Sequence, residues 1–212
     1  MNVQHGSFYV NQRNVPAYPD GTTTVDQMYV QYEIPIGHPN PGIPIVMVPG
    51  GFHTSATYDE TPDGRSGWRD YFVTAGHPLY IAEHVGHGPS GFSHRLIDRA
   101  RIENDATLLP PILFFTHEQV WPIFRFGSEY QSFFADTQFP VDAIDHYWAQ
   151  LVPNTEVFQD DPAGVTVRAL GGVARPHRFG GTDCPLTVRT VRARSRRAMA
   201  RSRRGRRCSG AG

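Results

Sequence analysis

The chain has 212 residues, the size of one ordinary domain, and its apolar content of 39% is typical of a globular protein. Both cysteines, Cys184 and Cys208, lie close to the end of the sequence, which excludes a disulfide framework or a cysteine-based metal site before them. No apolar run approaches the roughly 20 residues of a membrane-spanning helix, and residues 1–10 lack the pattern of a signal peptide. We therefore expect no membrane span and, by default, a cytoplasmic protein.

The formal net charge of zero hides two regions of opposite charge. Residues 1–167 hold 7 arginines and 19 acidic residues, a net charge of −12, whereas residues 168–212 hold 13 arginines and one acid, a net charge of +12. The chain contains no lysine. This asymmetry predicts either a basic arm or a composite chain. We place a boundary there, between a domain at residues 1–167 and an arginine-rich tail at residues 168–212.

The first fifty residues carry patterns typical of β-strands. Gly6–Val10 is a short strand candidate, and Pro16–Gly21 is a loop. Thr24–Ile34 alternates between apolar and polar residues, which predicts a half-buried strand with these side chains on one face: Met28, Val30, Tyr32 and Ile34. Beyond a turn at Gly37–Gly42, the continuous apolar run Pro44–Val48 is typical of a central strand that is covered on both faces.

A strand, a helix and a strand follow one another from Pro44 onward. Gly67–Ala75 has aromatic residues at helical spacing, and Gly76 is suited to end that helix. Pro78–Ala82 is the next strand, and this order predicts a right-handed crossover between parallel strands. Two later segments also have helical character: His117–Phe126 and Val141–Leu151. The predicted fold class is α/β, with a mostly parallel sheet and flanking helices.

The regular pattern ends after about Pro162. Residues 171–212 show no sustained period of two or 3.6, and they contain few large apolar side chains. Such a segment cannot bury enough apolar surface to offset the entropy lost on ordering. We expect the arginine-rich tail to be disordered.

Seven strings in the first 153 residues are more specific than any single motif. Three of them, P-G-G-F-H-T-S, Y-D-E-T-P-D-G-R-S-G-W and Y-I-A-E-H-V-G-H-G-P-S, resemble the α/β-hydrolase superfamily. Four others, T-V-D-Q-M-Y-V, T-P-D-G-R, I-F-R-F-G and D-T-Q-F-P-V, are similar to a group of bacterial serine esterases. The resemblance covers about residues 6–153. It implies an α/β-hydrolase fold that is incomplete in this chain, and an enzyme that hydrolyses small esters without a cofactor. Members of this esterase group can be exported.

The resemblance points to one site residue, Gly51. In the family, the loop after the central strand usually reads H-G-x-x and supplies an oxyanion-hole amide, a backbone N–H aimed at the oxygen that gains charge in the tetrahedral intermediate. The matching loop here is Pro49–Phe52. It departs from the family at Pro49, where histidine is common, and at Gly51 and Phe52, where members carry paired cysteines. The alternative interpretation is a plain turn that ends the strand.

Other residues with catalytic or ligand chemistry are interpreted as structural. The E-H-x-x-H string at residues 83–87 could hold a metal, but the family uses this segment as a structural loop. Ser90 and Ser93 lack the small-x-Ser-x-small pattern of a nucleophile elbow, and Asp63 is a turn residue. Several aromatic residues line either a substrate pocket or, as is commoner, the core: Trp121, Phe124, Phe126, Phe133 and Phe134.

No catalytic residue is identified, because a nucleophile elbow such as G-x-S-x-G occurs nowhere in the chain. The family places the elbow after a helix expected over Val165–Phe179, close to Cys184–Arg192. Codons for Gly171–Arg178, shifted by one base, can encode A-A-L-L-D-R-I-G. Codons for Cys184–Val191 can then encode A-H-S-Q-S-G-P-F, which closely matches the S-H-S-Q-S-G elbow of the family. We hypothesise that the tail is out-of-frame translation.

Two functions are weighed on these observations. The first is a carboxylic-ester hydrolase in which serine attacks the ester carbonyl through an acyl-enzyme, truncated here and inactive because nucleophile, acid and histidine base are missing. The alternative is a non-catalytic protein whose arginine-rich arm binds nucleic acid or other polyanions non-specifically. The tail offers only Phe179 for stacking on bases, which argues against that alternative. An incomplete sheet also exposes a strand edge and favours self-association.

Overall fold

The computed structural model describes residues 2–174 and the backbone of two short strands beyond them. The described strands are β1 Asn2–Val10, β2 Arg13–Pro16, β3 Thr22–Val25, β4 Met28–Ile36, β5 Ile45–Met47, β6 Leu79–Ala82, β7 His177–Phe179 and β8 Thr182–Cys184. The described α-helices are α1 Trp68–Thr74, α2 Arg95–Glu103, α3 His117–Ile123, α4 Ile144–Ala149 and α5 Pro162–Val173. Short 3-10 turns lie at Ser55–Tyr58, Gly88–Ser90, Ala106–Leu108, Val141–Ala143 and Glu156–Phe158.

The central sheet has four strands in the order β1–β4–β6–β5. β1 pairs antiparallel with β4, from Asn2 opposite Ile36 to Val10 opposite Met28, and β4 pairs antiparallel with β6. Only β5 and β6 are parallel. The predicted mostly parallel sheet is therefore wrong for the described residues. Two parallel strands need a long crossover connection. Within the described sheet, the only such connection contains α1 and joins β5 to β6.

Helices cover both faces of the sheet, as the α/β prediction requires. On one face, Val165, Ala169 and Val173 of α5 are buried against β1 and β4. On the other face, Val73 of α1 packs with residues of β5 and β6. β6 alternates between the two clusters and is buried at all four positions. The alternating residues of β4 that were predicted to face inward pack in the first cluster: Met28, Val30, Tyr32 and Ile34.

The strand that is covered on both faces is β6 rather than the predicted run Pro44–Val48. Within the described sheet, β5 lies at the edge and pairs with β6 alone. Val46, in the middle of β5, is 37% exposed. A short apolar run shows that both faces of a strand are apolar, but it does not determine how many neighbouring strands the structure supplies.

The helix predicted over Gly67–Ala75 is present as α1. Gly76 follows its last turn with φ of 91°, a left-handed conformation that glycine adopts without steric cost. The simplest expectation is that the aromatic residues of α1 face the core. Instead, Trp68 is 61% exposed and Tyr71 is 69% exposed. The smaller Val73 is the residue that α1 buries.

The helix α5 crosses the predicted domain boundary. It begins at Pro162, where Asp161 accepts from the N–H of Gly164, and it continues to Val173. Regular structure therefore extends past the point at which the periodic pattern ends, and Ala169 lies in the core beyond residue 167. The division into two domains, the disorder of the tail and the shifted-frame strings stay predictions, since most of residues 175–212 lie outside the described part. None of the helices within residues 2–174 has both the length and the apolar character to cross a bilayer.

Candidate functional site

Two loops meet at one edge of the sheet, because β5 and β6 are parallel and their carboxyl ends lie side by side. The first loop, residues 48–55, follows β5 and contains Gly51; the second loop, residues 83–90, follows β6. His84 joins them, with its Nε2 atom 2.8 Å from the carbonyl oxygen of Pro49. Since a carbonyl can only accept, the Nε2 atom of His84 carries the proton.

A distant part of the chain clamps the first loop. Phe52 has φ of 66°, in the left-handed region, and its N–H donates to Oδ1 of Asn154 over 2.9 Å. The carbonyl of Phe52 accepts from the N–H of Val152 over 2.8 Å. Asn154 is itself held, because its backbone N–H donates to the carbonyl of Leu113 over 3.0 Å. These bonds hold residues 52–54 in one conformation although they lie outside any helix or strand.

Gly51, the oxyanion-hole candidate, is exposed on the first loop. Its N–H has no acceptor among the described residues, whereas the N–H of the next residue, Phe52, is bonded to Asn154. A Cβ atom added at Gly51 would meet only Nδ2 of Asn154, at 3.8 Å. The Gly51 amide is thus a free donor in a braced loop, which is the property that an oxyanion hole needs. Its catalytic role stays a prediction.

An imidazole and a phenol brace the first loop from outside. His53 donates from Nδ1 to the carbonyl of Gly51 over 2.9 Å, so its Nε2 accepts from the hydroxyl of Tyr147, 3.0 Å away. Burial raises the pKa of Tyr147 to about 12, because it disfavours the charged phenolate. Tyr147 lies in α4, and its ring centroid is 5.3 Å from that of Phe126. The first loop is therefore tied to a cluster of aromatic side chains.

That cluster consists mainly of packed core residues. Trp121 and Phe126 are buried, and the ring of Trp121 lies 4.7 Å from that of Phe133. Phe124 packs against Phe126, with 6.4 Å between centroids. Phe134 differs, since it is exposed. The structure favours core packing over a substrate-pocket role for most of the five aromatic residues named from the sequence.

The second loop uses a buried carboxylate to support the first. Glu83 is fully buried directly after β6, and its Oε2 accepts from the N–H of Ser55 over 2.8 Å. Its Oε1 is buried and has no hydrogen-bond partner among the described residues. Tyr58 reinforces the same region, since its hydroxyl donates to the carbonyl of Val48 over 2.6 Å. Burial, and then the charge of Glu83, raises the pKa of Tyr58.

The histidines of the E-H-x-x-H string donate to backbone carbonyls. His87 is buried, and its Nε2 lies 3.0 Å from the carbonyl oxygen of Pro153. The Nδ1 atom of His87 is 4.0 Å from Oε1 of Glu156. The ring centroids of His84 and His87 are 6.4 Å apart. Among the described residues, no group of three or more potential ligands is placed to hold a metal ion. The structure gives both rings a structural role.

The hydroxyl of Ser90 is occupied by structural bonds. It donates to the carbonyl of Glu83 over 3.1 Å and accepts from the N–H of Tyr29 over 2.9 Å. Ser93 is also buried. Asp63 accepts from Thr61 and from Nε of Arg65, and these bonds, that of Thr61 first, lower its pKa. A buried serine with both bonding directions used is a poor nucleophile, and Asp63 stabilises the turn in which it lies.

A cavity of about 350 Å³ lies beside the two loops, between the second loop and the start of α5. It is lined by His84, Leu113, Asn154, Glu156, Val157, Pro162, Ala163 and Thr166. A larger groove of about 580 Å³ lies between residues 60–64 and 140–146. No residue of the first or second loop lines that groove. The smaller cavity is associated with the Gly51 site through His84 of the second loop and through Asn154, which bonds to Phe52.

Comparisons with known proteins agree with this architecture. The solved structure of a novel bacterial esterase is similar to the chain, with a TM-score of 0.72 and 37% sequence identity. The match covers 81% of this chain and 56% of that one. The chain is related to esterases of the α/β-hydrolase superfamily. A second similarity, at 32% identity over 63 residues, is to "Probable secreted lipase phiG" of Fungal sp. (strain ATCC 74256).

The esterase relationship confirms the resemblance that the seven sequence strings indicated. The chain spans about half the length of the solved esterase, and the lipase match covers 30% of this chain and 17% of the lipase. No protein-family model matches the chain. The mixed α/β architecture with a sheet and flanking helices is likewise confirmed.

Sequence reasoning missed the side chains that position the first loop. Asn154 lies 102 residues from Phe52 along the chain, and no spacing connects the two. Tyr147 was contained in a predicted helix without a role. His53 stands inside the string P-G-G-F-H-T-S, which was the one available signal. These three side chains become visible as a set only through the fold.

Proposed function

We propose that the chain carries the N-terminal portion of a carboxylic-ester hydrolase, with the N–H of Gly51 as one oxyanion donor. The observation that supports this proposal is the free amide of Gly51 in a loop braced by Asn154 and His53, at the carboxyl end of a strand. The relationship to a bacterial esterase supplies the reaction class.

The geometry favours catalysis by a group that is already in position. During ester hydrolysis, negative charge develops on the carbonyl oxygen, and a donor that need not reorganise stabilises it most. Before the donor, His84 donates to the carbonyl of Pro49. After it, the N–H of Phe52 donates to Asn154 and His53 donates to the carbonyl of Gly51, so the backbone is held on both sides. Attack on the carbonyl carbon requires a serine nucleophile with its acid and base. We assign these three residues to the in-register sequence beyond Leu170.

We expect the 212-residue chain itself to lack esterase turnover. The second loop offers Ser90, but its hydroxyl bonds to Glu83 and Tyr29 and is buried. Loss of the nucleophile removes most of the rate enhancement of a serine hydrolase. The purified chain should therefore neither hydrolyse p-nitrophenyl butyrate nor be labelled by a serine-reactive phosphonate. Turnover that the phosphonate blocks would overturn this part of the proposal.

The reading-frame hypothesis has a direct test in the nucleotide sequence that encodes residues 171–191. If these codons, shifted by one base, encode the helix ending A-A-L-L-D-R-I-G and the elbow A-H-S-Q-S-G, an in-register chain can be expressed and should hydrolyse p-nitrophenyl butyrate. Codons that do not allow this reading would reject the out-of-frame origin of the tail.

A pair of substitutions in the in-register chain tests Gly51. Gly51→Pro removes the N–H and should lower kcat by roughly 10²–10³-fold, the usual effect of losing one oxyanion donor. Gly51→Ala keeps the N–H and adds a Cβ atom that has room, so its kcat should stay close to that of the parent. Equal activity of the proline and alanine variants would show that Gly51 is not an oxyanion donor.

The polyanion-binding alternative has no specific support in the described residues. Of the arginines that motivate it, the structure describes the side chain of Arg168, which pairs with Asp161 over 3.0 Å. Polyanion binding by the tail stays a prediction.

A further inference from the structure

The cavity near the first loop is lined by apolar and polar residues, and most of its lining surface is apolar. The apolar residues are Leu113, Val157, Pro162 and Ala163, and the polar ones are His84, Asn154, Glu156 and Thr166. At about 350 Å³ it lies at the lower end of the range for small-molecule sites. With about 30 Å³ for each non-hydrogen atom, as for a water molecule, it has room for roughly ten such atoms.

Among the polar lining residues, Asn154 offers a fixed hydrogen-bond donor. Its Oδ1 accepts from the N–H of Phe52, and its backbone N–H donates to Leu113. The side chain therefore cannot rotate without losing the bond that braces the first loop. Its Nδ2 group makes no hydrogen bond to a described residue and lies 3.8 Å from a Cβ position on Gly51. A carbonyl oxygen in the cavity would satisfy this amide.

Glu156 determines which ligand charge the cavity favours. Its Oε1 lies 4.0 Å from Nδ1 of His87, and its Oε2 is buried without a hydrogen-bond partner among the described residues. His84 uses its Nε2 proton on Pro49 and so does not offer that proton to a ligand. A carboxylate among the lining residues, with no arginine there to offset its charge, disfavours an anionic ligand.

We propose that this cavity binds the acyl part of small, uncharged carbonyl compounds, with Nδ2 of Asn154 donating to the carbonyl or to a polar group next to it. This inference rests on the proposed function, since it names the substrate class for the Gly51 site. The acyl chain contacts the apolar lining residues. The same site releases the carboxylate product, because Glu156 repels it. Binding needs no nucleophile, so the 212-residue chain retains it without turnover.

Two ligands of equal size separate this proposal from general apolar binding. Butyramide is neutral, is not hydrolysed and fits the cavity, whereas butyrate differs chiefly in its charge. Titration of the ¹⁵N-labelled full chain should give saturable NMR shifts of the Asn154 side-chain amide with butyramide, with Kd in the low millimolar range, about 1–10 mM for so small a ligand. Butyrate should bind at least tenfold more weakly. Equal affinities, or shifts confined to other regions, would overturn the proposal.

Three variants test the location. Thr166→Trp fills the cavity from α5, and Val167→Trp places the same bulk on the adjacent residue, which is 70% exposed. Butyramide affinity should fall at least tenfold in the first and stay unchanged in the second. Asn154→Asp keeps an oxygen for the N–H of Phe52 but removes the donor, and it should also weaken binding at least tenfold while the Phe52 amide signal keeps its position.

These experiments also test the cavity independently of the proposed function. Equal loss in both tryptophan variants, or full affinity in Asn154→Asp, would reject the cavity as the acyl site. If Thr166→Trp fails to fold, the aspartate variant and the two ligands still decide. The Gly51→Pro and Gly51→Ala comparison is unaffected by any of these results, because it measures the oxyanion donor in the in-register chain.

Discussion

The two loops at the carboxyl edge of the sheet use their polar groups in opposite ways. The second loop, residues 83–90, is rich in side chains that carry chemistry in other proteins, yet Glu83, His87 and Ser90 are all buried. Their bonds go to backbone groups. The first loop, residues 48–55, has few such side chains, and its candidate functional group is a backbone N–H at Gly51.

The comparison shows that burial, and not residue type, separates scaffold from site. A buried polar group needs its bonds for stability and is not available for a substrate. The Gly51 amide is available because other bonds hold the loop in place. These run from Phe52 to Asn154 and from His53 to the Gly51 carbonyl. The second loop thus supports the first, and substitutions in the two should have separable effects.

The largest expected effect is on stability, from Glu83→Ala in the second loop. The change leaves the N–H of Ser55 without its acceptor and creates a cavity under the first loop. We expect the free energy of unfolding to fall by about 2–4 kcal/mol, from lost packing and an unsatisfied buried donor. Urea denaturation measures it, with exposed Glu60→Ala as the matched control. Similar stabilities of the two variants would contradict the supporting role of Glu83.

A smaller effect is expected from the clamp on the first loop. Asn154→Ala leaves the Phe52 N–H without its acceptor and should cost about 1–3 kcal/mol. Asn154→Asp keeps that acceptor and should recover most of the loss. Hydrogen exchange of the Phe52 amide gives a second measure, since the alanine variant should exchange faster than the aspartate variant. Identical exchange in both would show that the side-chain oxygen does not hold the loop.

The sequence predicted the elements whose periodicity is strong. The alternation around Met28, Val30 and Tyr32 identified β4, and an apolar run identified β6. The helix α5 was not found by periodicity, because its buried residues include small Ala169 and its last turn contains Gly171 and Gly172. Small side chains pack closely, as where Gly172 approaches Val10, but they give a weak apolar signal.

The candidate site was predictable only in part, and for a similar reason. Gly51 was identified from the strings around it, which carry information that is local in the chain. Its supports come from Asn154 and from Tyr147, 94 residues beyond His53. Their positions depend on how α4 and the segment before α5 fold back onto the sheet. The order of the strands likewise left β5 at an edge that a local pattern cannot reveal.

The exposed edge of β5 should have a modest effect on association. Ile45 donates to Pro78 on the β6 side over 2.8 Å, while Val46 is exposed on a strand with no second neighbour in the described sheet. We expect weak self-association through this edge, which Val46→Glu should reduce because a charge disfavours edge pairing. Sedimentation velocity over a concentration series measures it. The matched control, Val167→Glu on α5, should leave it unchanged; an equal reduction there would place the contact elsewhere.

The smallest expected effect is a pH dependence of the brace on the first loop. The pKa of Tyr147 is raised to about 12 by burial, so the folded state keeps the phenolic proton more firmly than the unfolded chain, whose tyrosines titrate near 10. Its contribution to stability is therefore complete below about pH 10 and is lost as the pH rises from about 10 to 12. Tyr147→Phe should remove this part of the pH dependence and cost about 0.5–1.5 kcal/mol at neutral pH, for the bond to His53. Tyr71→Phe, at an exposed position, should change neither quantity. Folded Tyr147 ionises only near pH 12 and can then no longer donate to His53. Exchange of the loop amides should therefore quicken relative to the phenylalanine variant as the pH approaches 12. An unchanged ratio of the two exchange rates would show that this bond does not hold the loop.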